Sequence, residues 1–201
     1  MKRWTAISDI AALEALYGEP NPRSLEKVAD RITPLYREWI EASRFVVLST
    51  VGPEGTDASP RGDDGPVVRV ADEGTLLLPD WRGNDRIDSL RNIVRDGRVS
   101  LMFLVPGSQN VVRVNGRGSV TVDEGLCASF EKGGRRPRTV VAVAVGEVYF
   151  QCAKAIMRSG LWEGGDVKVP SAGDFLREAT EGFDGAGYDA GYPAYARKRM
   201  W

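Results

Sequence analysis

The sequence contains no histidine. That absence removes every Ser-His-Asp or Cys-His nucleophile system and the commonest zinc and non-haem iron ligand sets. There are two cysteines, Cys127 and Cys152, without CxxC or other metal-type spacing, and they read as reduced thiols. Long apolar runs are missing too. The longest, Val140–Val145, is far too short to cross a bilayer, and the opening MKRWTAISDI lacks the apolar core of a signal peptide, so a cytoplasmic protein with no membrane partner is expected. Nor is there a charge excess: 27 Lys and Arg face 28 Asp and Glu, a net charge of −1, which gives nucleic acid no general attraction. What remains is ordinary, with 201 residues of which 42% are hydrophobic, enough for one well-cored domain and small helical additions. An enzyme built from this set would draw its reactivity from a bound cofactor, the protein supplying binding and orientation.

The first 43 residues read as helical. Ser8 can cap a helix through Tyr17 that Gly18 ends, and Ser24 can cap a second whose apolar stripe is Leu25, Val28, Ile32, Leu35 and Trp39. Pro34 inside that stripe predicts a kink or restart near Thr33. From Arg44 the pattern changes to strands: Phe45–Val51, Thr56–Ser59, a hairpin of Val67–Ala71 and Thr75–Leu78, then Arg98–Val105, Asn110–Val122 and Thr139–Phe150. Short helices are expected from Asp123 to about Glu131 and over Ala153–Leu161, with a basic loop at Gly133–Arg138. The tail after Gly164 shows little periodicity. Six or seven strands separated mostly by turns indicate a mainly β protein with added helices, an antiparallel barrel rather than a doubly wound sheet. The expected division is a helical extension over 1–43, the barrel over 44–165, and a tail over 166–201 placed to pack on a partner subunit.

Four stretches carry candidate chemistry. In Asp80-Trp81-Arg82-Gly83-Asn84-Asp85-Arg86, Asn84 is a sound N-cap whose helix start offers N–H groups to a phosphate, with Arg82 and Arg86 adding charge. Asp85 and Asp88 oppose an anion there, and a capped surface helix with ion pairs explains the same residues. Ser59-Pro60-Arg61-Gly62-Asp63 is either a plain turn or a hydroxyl and guanidinium aimed at that anion. Alternation puts Val112 and Val114 on one face of a strand and Arg113, Asn115 and Arg117 on the other, which is equally a solvated face. Lys154 and Arg158 share a helix face, with Trp162 one turn on, suited to an anionic ring system or to ordinary packing.

Six collinear stretches, ALYGEP, SPRGD, LLLPDWRGNDRIDSLRN, RVSLMFLVPG, RVNGRG and QCAKAIMRSGLW, span roughly residues 10–165. In this order they resemble the pyridoxamine 5′-phosphate oxidase-like superfamily of FMN-binding split barrels, in particular a bacterial branch of FMN-dependent proteins. The resemblance implies a homodimer with FMN at the subunit interface. It assigns Ser59 and Arg61, with Asn84 and Arg86, to the phosphate and ribityl end. It runs the Leu78-Pro79-Asp80 backbone beside the isoalloxazine, puts Lys154 and Trp162 of the other subunit against the ring, and makes Arg113 a further candidate. It also implies an oxidoreductase exchanging hydride between flavin and a small organic substrate or NAD(P)H; the alternative is a non-catalytic flavin store or a binder of another planar anion such as haem or a deazaflavin. Two departures bear on activity. Gln151 stands where the branch usually has histidine, and the carboxy-terminal Arg/Trp-Gly-Gly pattern that holds pyridoxal phosphate is replaced by Gly191-Tyr192-Pro193, so pyridoxamine phosphate oxidation is not expected.

Overall fold

The computed structural model describes residues 4–83, 85–165 and 167–201. Three helices lead the chain: α1 (Ile10–Tyr17), α2 (Pro22–Glu26) and α3 (Pro34–Ala42). Asp9, not Ser8, caps α1, its side chain accepting from the Ala11 N–H, and Gly18 closes it at a φ of 66°. The expected helix from Ser24 divides more completely than a kink. Asn21 caps the short α2, the chain then forms a β-bridge between Ala29 and Val148, and α3 starts afresh with Pro34 in its first turn, where the missing N–H costs nothing. Ile32 and Ile40 reach the barrel core, so part of the extension is built into it.

Seven strands follow: β1 (Phe45–Gly52), β2 (Gly55–Gly62), β3 (Arg69–Asp72), β4 (Thr75–Asp80), then, after helix α4 (Asp88–Arg95), β5 (Arg98–Leu104), β6 (Val111–Thr121) and, after α5 (Glu124–Ala128), β7 (Thr139–Gln151). They form one antiparallel sheet in the order β2-β1-β5-β6-β7-β4-β3, so β2 and β3 are its edges. The sheet curls without closing: a split barrel.

Period-two alternation fills the concave face. Val46 and Leu48 from β1, Val99, Leu101 and Phe103 from β5, Val112 and Val114 from β6, Val141 and Val143 from β7, and Leu76 and Leu78 from β4 make one apolar core. On the convex face Leu77 and Val140 pack under Leu126, Cys127 and Phe130. The sharp curl of β6 against β7 passes through a register shift at Asn115/Gly116. A side chain at Gly116 would run into the Ala144 carbonyl, so only glycine fits the bulge.

Three helices end the chain: α6 (Lys154–Ser159), α7 (Ala172–Ala179) and α8 (Gly185–Arg197). The aperiodic reading of the tail is corrected here. Ser171 and Asp174 form a capping box on α7, Asp184 caps α8, and the two helices pack so closely at Gly173 and Gly185 that a Cβ on either would strike the other's backbone. That contact depends on glycine pairs rather than on an apolar stripe, which hides it from periodicity. Among the described residues, no helix is long and apolar enough to cross a membrane.

Candidate functional site

The edge strand β2 breaks the rule of the concave face. The register sets Asp57 opposite Thr50, Ser59 opposite Leu48 and Arg61 opposite Val46, so three polar residues point where the other strands present valine and leucine. Polar groups in that position need partners.

At the Asp57 end the partners come from α4. Ser89 bonds the Asp57 carboxylate, and the Asn92 amide donates to the buried Thr50 hydroxyl at 3.1 Å. This end of the barrel is stoppered, with its hydrogen bonds met.

At the other end they are met in part. Arg61 Nη1 donates to Asp80 Oδ1 at 2.5 Å, with the two side chains only 11% and 12% exposed, and this ion pair spans the split between β2 and β4, which share no ladder. The remaining Arg61 nitrogens, Nε and Nη2, are buried without a partner among the described residues. Arg61 is one wall of a cleft of about 320 Å³ that Ser59, Leu78, Pro79, Trp81 and Arg82, among others, also line. Leaving two such donors unmet costs roughly 1–3 kcal/mol each, which an anionic or carbonyl oxygen reaching them would relieve.

The rim of this cleft is braced by the loop after β2. Trp81 Nε1 donates to Asp63 Oδ2 at 2.9 Å, and the Lys132 ammonium bonds both Asp63 and Asp64. Burial pulls the Lys132 pKa down most, but its hydrogen bonds to Asp63 and Asp64 outweigh that and raise it, while Lys132 lowers that of Asp64. Lys132 also sits 4.7 Å from the ring centre of Trp201, which meets Trp81 edge-on at 5.3 Å, so the end of the chain lies over the rim and Met200 lines the cleft. Asp63, Trp81, Lys132, Met200 and Trp201 carried no site assignment on sequence grounds. Asp63 and Trp81 lay inside quoted motifs, whereas Lys132 and the final residues arrive only through folding.

The other sequence-derived candidates fall elsewhere. Asn84 lies outside the described residues. The helix expected at Asn84 begins at Asp88, behind Ile87 in the left-handed conformation at a φ of 53°. Arg86 is exposed, bonds Asp88 at 2.7 Å, and faces a separate cleft with Asp57, Arg91 and Asn92. Arg113 lies on the convex face beside Tyr149. Lys154 opens α6 and is exposed, while Trp162 follows the Gly160 cap rather than continuing the helix, and its indole donates to the Ser108 carbonyl at 2.7 Å. Strand β7 meets Asp80 at Thr139, but the Gln151 end that leads to both lies twelve residues on, roughly 40 Å of strand away. Within one chain the two halves of the expected flavin site are apart.

The family model for pyridoxamine 5′-phosphate oxidase matches residues 32–152, well over half of the chain. The chain belongs to this family. The match takes in β1 through β7, and with them the split between β2 and β4. No curated protein matches the sequence. Among solved structures, a Group A Streptococcus HupZ variant is 17% identical over 60% of this chain and 99% of its own, with a TM-score of 0.50. General Stress Protein 26 from Bacillus anthracis is 17% identical over 56% and 88%, TM-score 0.43, and an FAD binding protein from Mycobacterium smegmatis is 13% identical over 61% and 97%, TM-score 0.42. At these identities the likeness concerns the fold alone. The α7–α8 hairpin and the ends of the chain lie outside the family match.

Proposed function

We propose that the protein is a homodimeric FMN-dependent oxidoreductase that exchanges hydride between flavin and a small organic substrate or NAD(P)H. The observation that carries this reading is the buried Arg61 guanidinium beside the cleft at the barrel split, two of whose donors have no partner among the described residues. Family membership supports it.

The donor set fits one end of FMN. Arg61 Nε and Nη2 would take phosphate or ribityl oxygens, with the Ser59 hydroxyl beside them, and Asp80 would hold the guanidinium's other edge so that it cannot swing away. The Leu78-Pro79-Asp80 edge of β4, which β3 does not pair, would run beside the ring. The cleft is near the lower end of ligand-site volumes, enough for part of FMN and not for the whole. The rest would need a second copy of this chain, whose Lys154 and Trp162 would reach the ring that their own chain's β2 cannot offer them. When bound, FMN supplies the hydride chemistry; the protein anchors, orients and shields it, which agrees with a chain that has no histidine.

A second reading, a flavin store or a binder of another planar anion, is favoured by Gln151, an amide that can hydrogen-bond but not titrate. One experiment separates them. Heat-released ligand is identified by mass spectrometry, and the intact protein is then titrated with NADH and NADPH. Bound FMN bleached by either donor supports the oxidoreductase, and FMN that resists both supports storage. Colourless protein that takes up no added FMN overturns both.

A further inference from the structure

Next to the flavin cleft lies a larger trough that the proposed function leaves unused. Two clefts of about 660 and 690 Å³ adjoin, sharing Arg82, Gly83, Asp85 and Arg199. One is lined by Arg135, Arg136 and Arg138 of the basic loop, and the other by Tyr188, Tyr192 and Tyr195 of α8.

The charges there are unbalanced. Of the five arginines, Arg136 bonds Glu131 at 2.7 Å, Arg135 is spent on the Lys198 and Trp201 carbonyls at 3.0 and 2.8 Å, and Arg199 lies over the Tyr195 ring. Arg82 and Arg138 have no hydrogen-bond or ion-pair partner among the described residues. The Thr139 hydroxyl, on the same wall, is buried without a partner. Guanidinium forks facing one space are suited to phosphate oxygens, and they outnumber the carboxylates that line it, Asp80, which Arg61 engages, and Asp85. The tyrosines provide the complementary half. Spaced four and three residues apart, they form a ladder along one side of α8, with Tyr188 and Tyr192 stacked at 5.5 Å. Tyr192 and Tyr195 remain 49% and 53% exposed. The exposed parts of Tyr192 and Tyr195 at one end of the trough, Arg82 common to both clefts and Arg138 beyond it match a planar base carrying a short chain of phosphates.

We propose that this trough is a second ligand site, taking the adenosine diphosphate class of group, with the base on the α8 tyrosines and the diphosphate between Arg82 and Arg138. The proposal stands without the flavin reading. Where that reading holds, the trough lies against the flavin cleft through Trp81, Arg82 and Gly83, where the diphosphate half of a nicotinamide dinucleotide would rest.

The test is calorimetric titration of the full chain with ADP, adenosine and pyrophosphate, with and without saturating FMN. ADP should bind more tightly than either fragment and equally well with FMN present. The double variant Arg82→Gln, Arg138→Gln should weaken ADP and pyrophosphate at least tenfold, and Tyr192→Ala should weaken ADP several-fold while leaving pyrophosphate unchanged. These side chains lie at the surface, and an unchanged thermal midpoint verifies the fold. Absence of ADP binding at millimolar concentration, or variants that bind as the parent does, would overturn the proposal. Mutual exclusion of ADP and FMN would also overturn it and give the trough to the flavin. A parent chain that binds ADP but never FMN refutes the flavin reading and leaves this one standing.

Discussion

The two ends of β2 present the same problem to the fold and solve it differently. Asp57 and Arg61 both point from an edge strand into space that the other strands fill with valine and leucine. At Asp57, α4 brings Ser89 and Asn92 and the polar groups are matched. At Arg61 one nitrogen is matched by Asp80 and two are not. A satisfied buried polar cluster fixes a fold; one left short of acceptors holds the donors ready for something that is not the protein. That contrast separates the site from the scaffold.

The largest expected effect breaks the open end. Arg61→Ala should lower FMN affinity by at least about a hundredfold, as two charge-assisted hydrogen bonds at roughly 1.5–3 kcal/mol each are lost. Its effect on stability should be smaller, because loss of the ion pair with Asp80 is offset by removal of two unmet donors. Fluorescence titration and urea unfolding measure the two, and affinity within threefold of the parent would move the site away from the split. The closed end should respond in the opposite sense. Asn92→Ala removes the donor to the Thr50 hydroxyl and should destabilise the fold by about 1–2 kcal/mol while FMN affinity in the folded protein stays within about twofold. A collapse of affinity there would abolish the distinction between the ends.

A smaller effect sharpens the rim. Because the Lys132 pKa is raised in the folded state, its contribution is fully present below its ordinary value of 10.5 and is lost as pH rises through the higher folded value. The difference in tryptophan emission between parent and Lys132→Met should therefore be constant through neutral pH and vanish only at strongly alkaline pH. A difference that titrates near pH 7 would mean that Lys132 does not brace the Trp81–Trp201 contact. The smallest effect belongs to Arg86→Ala, where an exposed guanidinium already engaged by Asp88 should change FMN affinity by less than about threefold. A loss of tenfold or more would put Arg86 on the phosphate and require the 82–87 turn to fold over the cleft.

Much of the barrel was legible because alternation is a local signal. β1, β5, β6 and β7 match their expected spans to within a residue or two, and Asp72-Glu73-Gly74 does turn the β3–β4 hairpin. The helix break at Pro34 was legible for the same reason, since proline acts on its own turn. The tail was not, because Gly173 and Gly185 encode a helix contact by what they lack. SPRGD offered Ser59 and Arg61 as candidates, and both line the cleft at the split. Residue type could not separate Arg61, buried with donors to spare, from Arg86, exposed and paired.

By itself the sequence determined that the protein would be an antiparallel barrel without imidazole chemistry, for periodicity, turn residues and composition each act within a few positions of the chain. Only the tertiary structure decided which arginine is left short of acceptors, that Asp80 lies across the split from it, and that Lys132 and Trp201 join the rim. Those facts depend on strands and loops distant in sequence meeting where the sheet fails to close, and burial, which leaves a guanidinium short of acceptors, is a property of that meeting.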